Sequence, residues 1–364
     1  MKKSKKVLNK LLVVVIILIC GMTIFSVVKT YNEENKKELE ENFTWNAKYI
    51  WFEDERDLAE QMKANEWVCF RKTIEIVSKK DTKNVTARIA VDSKYWLYIN
   101  GEIVVREGGL KRGQKPSSTY YDEVPLDGYL KKGENTIAVL VWYFGKSSFS
   151  HISSTNGTFL FQAKIGDQNI ISDNSWKTIK NPAFKKDVPI VNSRLSEENI
   201  YYDATDEMNY WYNNNFDDSS WKTPVELGLA GDKTWGELIA RDIPYFEFSE
   251  IREYENSAKY NGYIFTKDTL LELNLPHNMQ IVPYFKIEAE AGEQINITLD
   301  EEYNSVGKEH KITYITKSGV QDFESPAWIN GEKIYYFIPK GVKVLSLGYR
   351  ETTYKIDEVR KLCY

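Results

Sequence analysis

The chain has 364 residues, more than one domain usually holds, with 42% hydrophobic and 28% charged side chains, which excludes a disordered or collagen-like chain. Aromatic residues make up 14%, with 24 Tyr, 16 Phe and 10 Trp, and these suit both pleated strands and the flat apolar faces of ligands such as sugar rings. The net charge of −5 is uneven: residues 1–30 hold six lysines and no acid, leaving 42 basic against 53 acidic side chains, a surface that repels phosphate backbones and excludes nucleic acid as a partner.

The basic segment MKKSKKVLNK (1–10) reads as a cytoplasmic tail and precedes LLVVVIILICGMTIFSVV, eighteen uncharged residues from Leu11 to Val28. That length reaches the lower end of the roughly 17–25 residues needed to cross a bilayer. Lysines before it and acids after it (Glu33, Glu34, Glu38, Glu40, Glu41) place the N-terminus in the cytoplasm. No small-x-small cleavage site follows, and Ile19 before Cys20 is too bulky for a lipid-attachment signal. The expectation is a transmembrane signal-anchor at 11–28 that leaves the body extracellular at the cell membrane, or secreted if the segment is cleaved. Residues 29–43 read as a charged tether. Three cysteines (Cys20, Cys69, Cys363) do not make a disulfide framework.

Short runs rich in β-branched and aromatic residues come next: 67–76, 85–91, 95–99, 136–143 and 158–165. Turn pairs punctuate them at Asn100-Gly101, Gly108-Gly109 and Lys132-Gly133. Asn-Gly between two apolar runs is the strongest short-range hairpin signal. A second block of strands covers 270–275, 283–290, 294–303, 310–316, 333–339 and 342–351, with turns at Ala291-Gly292, Asn330-Gly331 and Lys340-Gly341. His277, between Pro276 and Asn278, reads as an exposed turn residue. No long helical period appears in the body. The fold class is therefore mostly β: two or more antiparallel β-sandwich (jelly-roll) domains, one over 44–250 (divisible at 165/166) and another over 251–364. Between the blocks a small echo occurs, DNSWKT at 173–178 and DSSWKT at 218–223, which reads as two tight turns each pinned by a Trp.

The run ARIAVDSKYWLYING (87–101), with YD at 121–122 and LKKGENTIAV at 130–139, resembles the N-terminal sandwich of bacterial α-L-rhamnosidases. The likeness continues through WYFG (142–145), SDNSW (172–176), YDA (202–204) and FDDSSW (216–221). Residues AGE (291–293), YITKSG (314–319), QDFES (321–325) and YRETTY (349–354) resemble the sandwich that precedes the catalytic barrel in the same enzymes. The resemblance implies galactose-binding-like sandwiches. It also implies that an (α/α)6 barrel bearing the catalytic acids follows the YRETxY strand, and no helical pattern able to build one follows Tyr354 here. The expectation is accessory domains without the activity.

Catalysis within these domains would need two carboxylates about 5–10 Å apart, one of them held protonated. Asp322 and Glu324 alternate along a strand and share a face, whereas the adjacent Asp217 and Asp218 do not. His151, His277 and His310 lack metal-ligand spacing, and there is no Gly-x-Ser-x-Gly elbow or phosphate loop. No catalytic residue is assigned. For carbohydrate binding the candidates are Trp142, Tyr143 and His151, on a stretch mixing aromatic platforms with polar donors, and Trp211 in YWYNNN (210–215). Galactose-binding-like sandwiches often hold a structural Ca²⁺, and the candidate ligands are Asp203, Asp206, Asp217 and Asp218.

The reading is a surface-tethered, non-catalytic region that binds rhamnose-containing or other plant or bacterial glycans, attached to the membrane by its N-terminal segment. Two alternatives stay open. One is a truncated or split α-L-rhamnosidase whose barrel is separately encoded; the other is a structural or adhesive surface protein without sugar specificity.

Overall fold

The computed structural model describes residues 43–54, 64–109, 118–148, 151–188, 197–232, 235–299 and 310–354. The signal-anchor expected at 11–28 and most of the tether lie outside them. Among the described residues no helix is long and apolar enough to cross a membrane. Asn46 onward belongs to one compact unit.

Strand formation follows the β-branched and aromatic runs, which fit a pleated, half-buried surface. A seven-stranded first sheet contains β1 (Lys48–Trp51), β3 (Thr86–Asp92), β6 (Ser118–Pro125), β8 (Thr158–Ile165), β9 (Gln168–Ile171), β12 (Val225–Leu229) and β13 (Glu237–Ala240). Its order is β12-β1-β8-β3-β6-β13, with β9 beside β8. The second sheet has the order β10-β2-β7-β4-β5, built from β2 (Glu66–Ile76), β4 (Lys94–Ile99), β5 (Glu102–Gly109), β7 (Gly133–Tyr143) and β10 (Lys177–Lys180). The third is nine-stranded: β11 (Ile200–Asp203), β14 (Phe246–Phe248), β15 (Arg252–Glu253), β16 (Thr269–Ala289), β17 (Gln294–Leu299), β18 (Lys311–Ile315), β19 (Gly319–Glu324), β20 (Ile329–Ile338) and β21 (Lys343–Tyr354).

The second sheet is covered on both faces at its centre, which is why β4, β7 and the first half of β2 are buried at successive residues without alternation. Phe70 of β2 meets Trp51 and Phe159 of the first sheet, with ring centroids 5.9 and 4.8 Å away. On the opposite pleat Trp67, Cys69, Trp96, Leu140 and Trp142 share one apolar cluster with Leu273, Phe285, Tyr314 and Leu347 of the third sheet. Trp67 is stacked between Trp142 (4.3 Å, 16°) and Phe184 (3.9 Å, 9°). Such aromatic pairs are worth about 0.5–1.5 kcal/mol beyond the area they bury.

Asn100-Gly101 forms the expected two-residue hairpin between β4 and β5, with φ of 54° and 89°, the primed turn that both residue types favour. Three expected turns lie inside strands instead. Gly108 and Gly109 end β5, where Gly108 passes so close to the Tyr95 ring that an added Cβ would stand 2.3 Å from it. Asn330-Gly331 pairs with Gln280 and Met279 as ladder residues of β20 and β16. Pro276, His277 and Asn278 form an exposed interruption within β16, where the register shifts between Asn274 and Met279; Pro survives there because its missing N–H falls at the break. The odd positions Leu271, Leu273, Leu275, Met279, Ile281, Phe285 and Ile287 are buried on both sides of the break, so the sheet keeps one inner face.

Purely antiparallel pairing fails at two edges. β13 pairs parallel to β6 and β11 parallel to β18. Each partner lies a hundred or so residues away in sequence, ample length for the crossover that a parallel pair requires.

Candidate functional site

The stretch expected to bind sugar is core. Trp142 and Tyr143 are the last two residues of β7 and are fully buried. Trp142 Nε1 donates to Asn65 Oδ1 at 2.9 Å, and its ring packs between Trp67 and Phe144. His151 is also fully buried, with Nε2 2.9 Å from Asp92 Oδ1 and 3.2 Å from Ser93 Oγ. None of the three presents a surface to a ligand, which corrects that assignment; the aromatics that looked like platforms are filling the space between sheets.

Asp92, Ser93 and His151 unite the residue types of a nucleophilic triad without its geometry. The carboxylate and the hydroxyl meet the same imidazole nitrogen, whereas a triad places them on opposite nitrogens. Burial alone would raise the Asp92 carboxyl, but His151 beside it and hydrogen bonds from Ser154 and Ser93 hold it below the ordinary carboxylate range. The cluster fixes the loop after β7 against the end of β3.

The carboxylates expected to ligate Ca²⁺ are engaged with protein groups. Asp203 Oδ1 accepts from Thr205 N at 3.0 Å, capping a short 3₁₀ turn. Asp206 pairs with Lys185. Asp217 Oδ1 accepts from Ser219 N at 2.9 Å, and Asp218 Oδ2 accepts from Arg71 Nε at 2.8 Å. Among the described residues no three His, Cys, Asp or Glu side chains gather as a cation site. Asx-turn chemistry and lysine or arginine partners account for the Asp-rich stretches.

A cleft of about 560 Å³ opens where β4 and β5 of the second sheet face β19 of the third, within the range of small-molecule sites. The loop after β11 forms one wall with Glu207, Asn209, Tyr210, Trp211 and Tyr212. Arg71, 1% exposed, fixes this loop: its guanidinium donates to the carbonyls of Trp211 and Asn213 as well as to Asp218, and lies 5.4 Å from the Phe216 ring. Tyr212 stacks on Tyr98 of β4 at 4.5 Å and 9°. Trp211, expected to contact sugar, lines the cleft but is buried, packing against Tyr98 and Trp221. Tyr210 is the most open, 66% exposed, and holds a left-handed φ of 54° that costs an L-residue about 1–2 kcal/mol. Strain of this kind persists where the surroundings enforce it.

The polar wall is almost fully paired. Glu207 accepts from Tyr202 Oη at 2.9 Å and pairs with Lys317, which also reaches Asn209 Oδ1 at 3.2 Å. Glu324 is shared by Arg106 and by Arg350 Nε at 3.0 Å. Glu107, at the floor, belongs to a buried group with Lys94, whose ammonium also meets Glu197 Oε1 at 3.0 Å. Asp322 is exposed, on the same face of β19 as Glu324, and has neither hydrogen bond nor ion pair among the described residues. Burial raises the Tyr98, Tyr202 and Tyr212 hydroxyls, with neighbouring phenols and carboxylates adding to it, so all three stay neutral donors. Aromatic faces and convergent polar groups form the chemistry of a polyol site.

Sequence reasoning reached the 210–215 segment and the shared face of Asp322 and Glu324. It missed Tyr98, Arg106, Glu207 and Lys317, because the pairing of β5, β19 and the 207–212 loop across the cleft is set by tertiary packing and leaves no local pattern.

Residues 80–243 match the family model described as Alpha-L-rhamnosidase N-terminal domain, in agreement with the motifs quoted for that resemblance. An alpha-L-rhamnosidase of Formosa agariphila is 28% identical over 320 residues, covering 78% of this chain and 31% of that protein. Among solved structures, the family GH78 rhamnosidase of Bacillus sp. GL1 superposes with a TM-score of 0.71 at 15% identity, covering 87% of this chain and 56% of the other. The Streptomyces avermitilis alpha-L-rhamnosidase, solved with L-rhamnose, gives 0.61 at 18% identity over 80% and 29% of the two chains. The chain thus spans about three-tenths of its curated relative's length, in a fold shared with rhamnosidases.

Proposed function

We propose that this chain is a carbohydrate-recognising, non-catalytic region of an α-L-rhamnosidase-like protein, held at the cell surface by residues 11–28, and that glycans dock in the cleft between β4, β5 and β19. The observation that carries this reading is the Tyr210–Tyr212 loop: an exposed aromatic in a strained conformation, beside a stacked Tyr pair, held by a buried arginine over a polar wall. The match of residues 80–243 and the likeness to a rhamnosidase solved with L-rhamnose make rhamnose-containing glycans the first ligands to test.

The non-catalytic part of the reading is supported by the state of the carboxylates. Glu207 and Glu324 are ion-paired, Asp322 stands in solvent, and Glu107, whose carboxyl burial raises, is tied to the Lys94 ammonium, so every buried or partly buried carboxylate of the cleft is already committed to a cation. Hydrolysis is assigned to a barrel, in a longer form of the protein or encoded separately. The test is calorimetric titration of the full chain with methyl α-L-rhamnoside, with turnover of an aryl α-L-rhamnoside followed on the same sample. Saturable binding without turnover is expected. Turnover by this chain would overturn the non-catalytic assignment, and absence of binding to any rhamnoside would overturn the recognition role.

A further inference from the structure

Charge on the cleft wall divides into neutralised groups and one exception. Lys317 answers Glu207, two guanidiniums answer Glu324, and Lys94 answers Glu107 from beneath the floor. Asp322 alone among the described lining residues carries a charge with no partner. Lys286 lies directly opposite on β16, yet forms no ion pair with it. Tyr212, which lines the cleft, has its phenol raised chiefly by burial, with Asp322 adding a small share.

We infer that Asp322 is the specificity-determining residue of this cleft, accepting hydrogen bonds from the hydroxyls of a neutral pyranoside stacked near Tyr210 and Tyr212 and turning away sugars that carry a carboxylate or sulfate. The inference rests on the glycan-docking reading and deepens it. An ionised carboxylate is acceptor-only with about four lone-pair sites, which matches adjacent hydroxyl donors. Bonds to a charged acceptor are roughly twice as strong as neutral ones, so Asp322 contributes affinity as well as choice. Juxtaposed like charges oppose binding, and the paired cations on the wall are already satisfied by their own carboxylates.

The experiment compares methyl α-L-rhamnoside with methyl α-D-galacturonate by calorimetry on the full chain, for the wild type, Asp322→Asn and Asp322→Lys. The wild type is expected to prefer the neutral sugar by about tenfold or more, equivalent to roughly 1.4 kcal/mol. Asp322→Asn should shrink that preference toward unity, Asp322→Lys should reverse it, and rising salt should weaken both effects. The residue is exposed, so unfolding midpoints should stay within the range of ordinary surface substitutions. Wild-type binding of the neutral sugar with selectivity unmoved by either substitution would overturn the role of Asp322 and leave glycan docking standing. Binding of neither sugar by the wild type would overturn both.

Discussion

Replacing Arg71 with methionine keeps the length and apolar stem of the side chain while removing the guanidinium that holds the aromatic loop. In the native structure that group serves the Trp211 and Asn213 carbonyls and the Asp218 carboxylate, and the arginine is 1% exposed. Two carbonyls would lose a buried donor at about 1–3 kcal/mol each when nothing replaces it. Asp218, with 26% of its side chain exposed, would recover part of its hydration and adds about 1 kcal/mol at most. Relief of the arginine's own desolvation works in the opposite direction, leaving a net loss of about 3 kcal/mol, at the lower end for breaking a buried pair. Equilibrium urea unfolding of the full chain measures this. A loss below about 1 kcal/mol in Arg71→Met would refute the assignment of Arg71 as the pin of the loop.

Tyr210→Asn exchanges a strained aromatic for a residue at ease with positive φ, so the unfolding midpoint should hold or rise by the equivalent of up to about 1 kcal/mol. Rhamnoside affinity should fall about tenfold at the same time, and unchanged affinity by titration would remove Tyr210 from the binding surface. Trp142→Ala should destabilise by about 3–5 kcal/mol in denaturant unfolding, as expected for a fully buried Trp; a loss under 1 kcal/mol would show that its site collapses without consequence. His310 gives a pH signature. Burial, with Lys94 nearby and against the pull of Glu197, lowers its imidazole to about 4 from the ordinary 6.5. The unfolded chain then binds the proton first as pH falls, so stability present above pH 6.5 is lost progressively toward pH 4, by roughly 3 kcal/mol at most. His310→Gln should flatten that part of the stability curve, and an unchanged slope between those values would refute it.

How far the sequence announced this molecule depends on the range of the interactions involved. The Asn100-Gly101 hairpin and the strands on either side were legible because primed turns and β-branched runs are local properties. The DNSWKT and DSSWKT echo was legible as a pair of pinned turns, and the structure adds that the two copies pair with each other through Thr178 and Lys222. Trp142, Tyr143 and His151 were misplaced for a specific reason. Aromatic and polar residues mixed at the end of a strand look alike whether they face a ligand or the next layer, and only the position of the second sheet between two others decides it. The Asp-rich stretches are ambiguous in the same way, since a turn cap and a cation ligand draw on the same side chain, and in the structure Asp203 and Asp217 cap turns.

The layering also restricts where this fold can recognise anything. A sheet covered on both faces offers a ligand only the line where its neighbours part, and that line is where Tyr98 of the middle sheet, the 207–212 loop and Asp322 of β19 come together. Its walls belong to different layers, joined by ion pairs that cross the cleft from Arg106 on β5 to Glu324 on β19 and, within the third layer, from Arg350 on β21. A ligand seated there would touch both layers and would stabilise their apposition by its own binding free energy. Rhamnoside binding should therefore raise the unfolding midpoint of the whole unit cooperatively, in proportion to the logarithm of ligand concentration above Kd. A ligand bound on one outer face would give the same linkage for wild type and for Arg106→Gln. Docking across the layers gives a smaller shift in Arg106→Gln, because part of the binding free energy is then spent ordering the two walls.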